Sequence, residues 1–253
     1  MLHKYLLQRQ GKDERDYKLA DLIKPYEGIV LPVHAETSTS PYMPDVFDQL
    51  NIGSCGANAL VGYKMYDDKN PKLLLSRADA YYNARKVMRT VKQDSGVDNR
   101  KMLDGNKKYG ICEEEYFRYD VNTFEDDPTP QAVANGLLHK LNSYHAIDES
   151  SVPSVFMGIR QTISVLGKPV LMGMDVYKYM ESEEMSVKGI LKCPKSLETP
   201  IGGHDVLLVD YDDKMKFFKV RNSWGKGWGL AGYFLMPYAY IEKKYAWDFW
   251  AVS

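Results

Sequence analysis

Apolar positions near residue 55 fall on helical spacing. Ala59, Leu60, Tyr63 and Tyr66 are separated by one, three and three residues, which predicts a helix with an apolar stripe starting close to Cys55. A second helix is expected over 76–91, with Ser76 at the N-cap and Asp79 three residues on, an acidic variant of the capping box. A third, over 100–108, stops at Tyr109-Gly110, where Gly110 is placed to adopt the left-handed C-terminal conformation. Residues 1–45 lack such periodicity. They are polar, interrupted by Pro25, Pro32, Pro41 and Pro44 with ETSTS between, and read as an extended arm with few helical turns.

The stretch FEDDPTP at 124–130 cannot continue a helix and marks the boundary between two lobes. Beyond it, one helix over 155–166 precedes short runs rich in β-branched and aromatic residues: PVLMGM, HDVLLVDY, KFFKVRN and GYFLMPY. Asp212-Asp213 followed by Lys214 predicts a hairpin turn between two of these strands. The expected organisation is an arm over 1–45, a mainly helical lobe over 46–125 and a mainly β lobe over 126–253, with no internal repeat.

Composition narrows the function classes. The 253 residues, 44% of them apolar, suffice for one large core or two lobes sharing an interface. Lys and Arg number 33 against 34 Asp and Glu, and neither sign is segregated into long runs, so no nucleic-acid partner is expected. The apolar runs are far shorter than the roughly 20 residues that span a bilayer, so no membrane partner is expected either. The N-terminus lacks the apolar core and small-residue cleavage site of a secretion signal. Three cysteines, Cys55, Cys112 and Cys193, are few for a secreted domain, which points to a reducing, intracellular compartment. A bridge between Cys112 and Cys193 remains open at this level.

Three segments carry candidate chemistry. In DQLNIGSCGANA, Gly53 and Ser54 deliver Cys55 to the start of a helix, where unpaired N–H groups and the positive end of the dipole favour a thiolate. A small, buried, inert cysteine is the alternative. In IGGHDVLLVDY, two glycines precede His204, whose imidazole titrates near neutrality and can take and return a proton, unless it is a core histidine bonded to a backbone carbonyl. In VRNSWGKGWGLAGYF, Asn222 can accept from an imidazole N–H and Trp224 can cover that bond, while Gly225, Gly227 and Gly229 allow a tight path. The other reading is a glycine-rich turn with core tryptophans.

Taken together and in this order, Cys55, His204 and Asn222 resemble the catalytic set of the papain family of cysteine peptidases, whose most specific mark is the string N-S-W-G-x-G-W-G. In that family a glutamine six residues before the nucleophile donates to the oxyanion, and Gln49 stands there. The likeness is closer to a disulfide-poor branch in bacteria and some large viruses, whose nucleophile motif reads like D-Q-x-x-x-G-S-C-x-A-N-A. DERDYK, PYMPDVFDQLNIGSCGANA, YYNAR, DSGVDNRK, KYGICEEEYFRYD, GGHDVLLVDYDD, VRNSWGKGWG, GYFLMPYAYI and DFW spread it over nearly the whole chain. Two departures stand out beside the secreted members: Ile52 replaces a disulfide cysteine and Gly56 replaces the aromatic residue after the nucleophile.

The resemblance implies an α+β, papain-like two-lobe fold, a helical N-terminal lobe and a β-barrel-like C-terminal lobe with the cleft between them. It implies a cysteine endopeptidase working through a thioester, with Cys55 as nucleophile, His204 as base and acid, Asn222 as orienter and Gln49 in the oxyanion hole, and with no metal or organic cofactor. It places Ser95 and Gly96 against the backbone of an extended peptide or protein substrate, and Gly173 and Gly203 at the pocket for the second residue before the cleaved bond. Glycine walls there predict room for a large apolar or aromatic side chain. Trp224 joins these as a substrate-side residue. The helical inhibitory prodomain of the family has no counterpart in the polar 1–45 stretch, and residues 1 to about 30 are expected to occlude the cleft or to be trimmed by self-processing. A cytoplasmic or virion-associated setting follows from the same branch. A catalytically silent peptide-binding protein, or an aminopeptidase, amidase or transpeptidase on the same fold, are the other classes. The remaining histidines, His3, His34, His139 and His145, are expected at the surface.

Overall fold

A computed structural model describes residues 3–23, 30–70, 72–150, 152 and 154–253. The expected break at Pro25 lies outside the described residues. The helical part comprises α2 (Cys55–Asp67), α3 (Arg77–Met88) and α4 (Asn99–Tyr109), preceded by a single turn α1 (Leu19–Leu22) and followed by α5 (Pro130–Gly136). The second part carries β2 (Tyr144–Ala146), α6 (Val155–Ser164), β3 (Val170–Val176), α7 (Glu183–Lys188), β4 (Gly202–Asp212), β5 (Phe217–Arg221), β6 (Tyr233–Pro237), α8 (Ala239–Glu242) and β7 (Ala246–Val252).

The strands form one antiparallel sheet in the order β2-β7-β3-β4-β5-β6, with β1 (His34–Glu36) added alongside β4. This gives the barrel-like expectation a definite form: an open sheet in which β2 and β6 are the ends of the hydrogen-bonded path. The stretch over 1–45 meets β4 at two places, through β1 at Asp210–Asp212 and through Leu6 and Leu7 at Gly203.

Why β4 reads as a nearly unbroken apolar run is explained by its neighbours. Val206 and Leu208 face one core with Val170, Met172 and Phe218, while Leu207 and Val209 face α2 together with Leu171 and Trp250. The helix α2 is correspondingly buried from Cys55 to Met65 on every side, not along one stripe. Tyr66, predicted on that stripe, is at the margin and donates to the Gly167 carbonyl.

Local signals held with two corrections. Ser76 caps α3 by accepting the Asp79 N–H at 3.0 Å, but the Asp79 carboxylate takes the Cys112 N–H at 2.8 Å instead of closing the box. Gly110 has a positive φ of 77° with an extended ψ of −170°, because the chain passes Gly136 so closely that a Cβ would stand 1.7 Å from its carbonyl oxygen. FEDDPTP ends by starting a helix: Thr129 caps α5 and Pro130 opens it. At the β4–β5 hairpin the Asp212 carboxylate accepts the Lys214 and Met215 N–H groups, the expected turn chemistry. All three cysteines are free, which closes the question of a Cys112–Cys193 bridge. Among the described residues no helix is long and apolar enough to cross a membrane.

Candidate active site

Cys55 is the first residue of α2 and is fully buried. The loop that delivers it is tied at several points: Gly53 N–H donates to Asp94 at 2.9 Å, the Ser54 and Tyr119 hydroxyls share a hydrogen bond at 2.6 Å, and Asn58 donates to the Ser54 carbonyl at 2.9 Å. Backbone N–H groups of Asp205, Gly56 and Cys55 itself are directed at the sulfur, an arrangement that favours an anion there. The Asp205 N–H, adjacent to His204 in the chain, brings β4 to the nucleophile.

Gln49, fully buried, holds the same loop against the chain after β5. Its N–H donates to the Ser223 carbonyl at 2.8 Å, its side-chain oxygen accepts from the Ser223 hydroxyl at 2.7 Å, and its amide nitrogen donates to the Ile52 carbonyl at 3.1 Å. A primary amide has two N–H donors, so one remains for a substrate oxygen.

His204 lies on β4, buried, with Nε2 2.8 Å from Asn222 Oδ1. Asn222 Oδ1 also accepts the Ser223 N–H at 2.8 Å, which marks it as the oxygen and therefore assigns the proton to His204 Nε2. Nδ1 is left as the basic nitrogen, and it has no hydrogen-bond partner among the described residues. The Trp224 ring lies over the pair with its centroid 5.1 Å from that of His204.

The N-terminal arm runs through this site. His3 stacks on Trp224 at 4.5 Å with its plane 5° from parallel, and Tyr5 meets His204 edge-on at 6.1 Å. Leu6 bridges Gly203 in parallel, Leu7 N–H donates to the Gly203 carbonyl at 3.1 Å, and Gln8 N–H donates to the Val97 carbonyl at 2.9 Å. The Gln8 side chain reaches the Ser95 carbonyl at 3.1 Å. Glycine is required at Gly96, where a Cβ would stand 1.9 Å from the Leu6 carbonyl oxygen, and at Gly203, where it would stand 2.3 Å from that of Leu7. Leu7 is buried, and its side chain meets Gly173 on the wall made with Trp247. Polar clamps hold the arm at both ends: Lys4 to Asp94 at 2.6 Å, Arg9 to Asp175 at 2.7 Å across the face of Trp247, and Gln10 to Asp248 at 2.7 Å.

The covered site is electrically quiet. Burial, to which an ionised Asp205 carboxylate would add, pushes the Cys55 thiol up to about 12 against the amide groups that favour the thiolate. Burial also pulls His204 down to about 4, opposed by its bond to Asn222. Between those values thiol and imidazole are both neutral. Because desolvation leads both shifts, admitting water moves the thiol down and the imidazole up, toward an ion pair.

The structure thus brings His204, Asn222 and Trp224 together, ties Gln49 to the adjoining Ser223, and places Ser95, Gly96, Gly173 and Gly203 along one groove. Sequence reading missed the particular arm residues, and its surface assignment fails for three histidines: His145 is 6% exposed between Lys18 and Ser143, His3 is stacked in the cleft, and the His139 side chain is largely covered beside Glu113. The signal for the arm is the apolar pair Leu6-Leu7 in an otherwise polar stretch.

Comparison with known proteins gives consistent matches. The family model described as papain family cysteine protease matches residues 36–245. The uncharacterized peptidase C1-like protein L477 of Acanthamoeba polyphaga mimivirus is 34% identical over 98% of this chain and 82% of its own length. The crystal structure of xylellain, a cysteine protease from Xylella fastidiosa, superposes with a TM-score of 0.84 at 31% identity, covering 98% of this chain and 95% of that one. Procathepsin L2 from the larval midgut of Tenebrio molitor shares the fold at 18% identity, with a TM-score of 0.74 over 99% of this chain and 78% of its own.

Proposed function

Because the chain belongs to the papain family of cysteine proteases, hydrolases of peptide bonds, we propose that it is an endopeptidase acting through Cys55, His204, Asn222 and Gln49 and kept latent by its own N-terminal arm. The observation that carries the site assignment is the His204–Asn222 bond, which fixes the ring and leaves Nδ1 unpartnered. In this reading Nδ1 takes the thiol proton and Cys55 attacks the peptide carbonyl. The oxyanion forms between the free Gln49 N–H and the Cys55 backbone N–H. The imidazolium then protonates the departing amine, and a water activated by the same nitrogen hydrolyses the thioester.

Latency is supported by chain direction. The arm passes His204 at Tyr5 before it fills the Gly173 and Gly203 pocket with Leu7. A substrate seating its second residue before the cleaved bond in that pocket would reach Cys55 along the opposite direction, so the arm lies across the site without presenting a bond as a substrate does. Self-processing then acts on an arm that has left the cleft. An intracellular setting, cytoplasmic or virion-associated, belongs to the same proposal and rests on the three sparse cysteines.

Cleavage of a mixed library of amino-terminally blocked peptides tests the reading. Internal cleavage is expected, with large apolar or aromatic side chains preferred two residues before the cut, since Leu7 already occupies that pocket. A profile dominated by small or charged groups there would sink the pocket assignment, and failure to cut any blocked peptide beside release of amino-terminal residues from free ones would favour an aminopeptidase. Stoichiometric labelling of Cys55 by an epoxide thiol-protease inhibitor separates both from a silent peptide-binding protein.

A further inference from the structure

The side chains of β4 that face α2 are those at 205, 207 and 209, and Leu207 and Val209 are what such a face calls for. Asp205 is not. It is fully buried, and among the described residues neither carboxyl oxygen makes a hydrogen bond of full geometry, the Asn99 side chain and the Val206 N–H being the polar groups that act on it. Its space comes from Gly56, the residue after the nucleophile. A Cβ at 56 would stand 3.1 Å from Asp205 Oδ2, 2.8 Å from Met102 Sδ and 2.9 Å from Val97 Cγ2. A missing side chain at 56 and a carboxyl at 205 are therefore complementary.

Behind Asp205 lies a buried polar layer. The Asn99 side chain lies beside both carboxyls and favours the ionised form of each, although among the described residues neither its polar atoms nor Oδ2 of Asp248 reach full hydrogen-bond geometry. Asp248 is the extra residue of a bulge on β7, with φ of 59°, where the pairing with β3 slips between Met172 and Gly173. Its Oδ1 accepts from Trp250 Nε1 and from Gln10 of the arm, each at 2.7 Å. The layer extends from the arm to the first turn of α2.

We propose that Asp205 is a positioning residue for Cys55: a carboxyl acting as a neutral acid, seated in the space beside Gly56, that holds the first turn of α2 against β4 without placing a negative charge behind the nucleophile. The surroundings supply no compensating cation. From α2 it faces Cys55. Opposite it on β3 stands Gly173, β7 brings the acidic Asp248, and α4 brings the neutral Asn99. Within β4, His204 precedes it and is itself neutral while covered. Arg100 on α4 acts on Asp248 but is committed to Asp16 at 2.5 Å, and the arm contributes only the Gln10 amide. Burial, with Asp248 adding to it, pushes the Asp205 carboxyl well above the usual range, and burial lifts Asp248 to about 6. An ionised Asp205 would oppose the Cys55 thiolate, whereas the acid form removes that repulsion.

Only the role of Cys55 in this inference rests on the proposed function. The test is the melting temperature of the full-length chain against pH, wild type beside Asp205→Asn. A group whose folded pKa lies above its unfolded value contributes stability that is complete below about 3.9 and lost as pH rises through the folded value. Asparagine does not titrate, so the variant's advantage over wild type is expected to widen by a few degrees from pH 4 to pH 8. A flat or narrowing difference overturns the neutral acid. The positioning role is read separately by ultraviolet titration of the Cys55 thiolate, corrected with Cys55→Ser. Asp205→Asn, neutral like the acid, is expected to leave the midpoint where it is, and Asp205→Ala, which empties the space beside Gly56, to shift it; a midpoint lowered by Asp205→Asn means that the carboxyl is ionised, and one unmoved by Asp205→Ala means that it does not position the nucleophile. The melting comparison holds whether or not Cys55 catalyses anything, so the two readings fail independently.

Discussion

Replacing Leu7 by aspartate in the full-length chain is expected to raise kcat/KM on a blocked peptide by on the order of 100-fold. Leu7 is the one fully inserted apolar side chain of residues 3–10, at 6% exposure against Gly173 and Trp247. Burying a leucine contributes roughly 1.5–3 kcal/mol, and a carboxylate in the same pocket adds a desolvation cost, so arm docking weakens by about 3 kcal/mol. Since each 1.4 kcal/mol is tenfold, the open fraction rises by about two powers of ten until it saturates. The surrounding clamps do not replace the lost contact, because Lys4–Asp94 and Arg9–Asp175 have lysine and arginine side chains that are 49% and 55% exposed. Initial rates taken before any change in the N-terminal mass measure the effect. Lys12→Ala, in the same segment without a clamp of its own, serves as the control and should leave the rate alone. A Leu7→Asp rate within about threefold of wild type would mean that the seated arm does not govern access. The same variant should show a lower Cys55 thiolate midpoint, since burial is the leading cause of the raised value and opening the cleft removes part of it.

How much of this was legible in the sequence differs from element to element. The cap at Ser76 and the Asx turn at Asp212 are local chemistry, settled by side chains within three residues, and each appears where the sequence put it, as does the helix beginning at Cys55, although Ser54 makes no side-chain cap there. The Gln49, His204 and Asn222 constellation was legible because order and motif survive when distance does not. What was hidden depends on long-range packing. The stripe on α2 was read as one face, yet the helix is buried on every side: Asn58 turns inward to donate to the Ser54 carbonyl, and buried Lys64 reaches outward to Asp68 at 2.5 Å. Gly110 closes α4 as expected, but with an extended ψ in place of the left-handed one, where the Gly136 backbone passes. The path of the arm could be suspected only from an apolar pair in a polar stretch. Its register needed the five glycines that face it, Gly53, Gly96, Gly173, Gly202 and Gly203, and no local rule joins those to residues 5–7.

The largest loss is expected from Cys55→Ala, which should lower turnover by at least about 10⁴-fold and leave only catalysis by the oxyanion donors and binding. Alanine fits the site sterically: the residue is fully buried in the first turn of α2, and removing one sulfur keeps the helix start and the Gln49 contacts intact. Stability should therefore change little beside activity, and a melting curve distinguishes a missing nucleophile from a damaged fold. His204→Ala should cost a comparable amount, and the double variant little more than either, since a base without its nucleophile has nothing to activate. Near-additive losses would instead mean that the two side chains act in separate steps, which the proposed mechanism does not allow. Asn222→Ala should cost less, because the ring would keep its cover from Trp224 at 5.1 Å while losing its fixed tautomer. Mass spectrometry on the same samples adds an internal check. If the arm is removed by the chain's own chemistry, the N-terminus shortens over time in wild type, stays full length in Cys55→Ala, and shortens faster in Leu7→Asp, where the cleft is open more of the time.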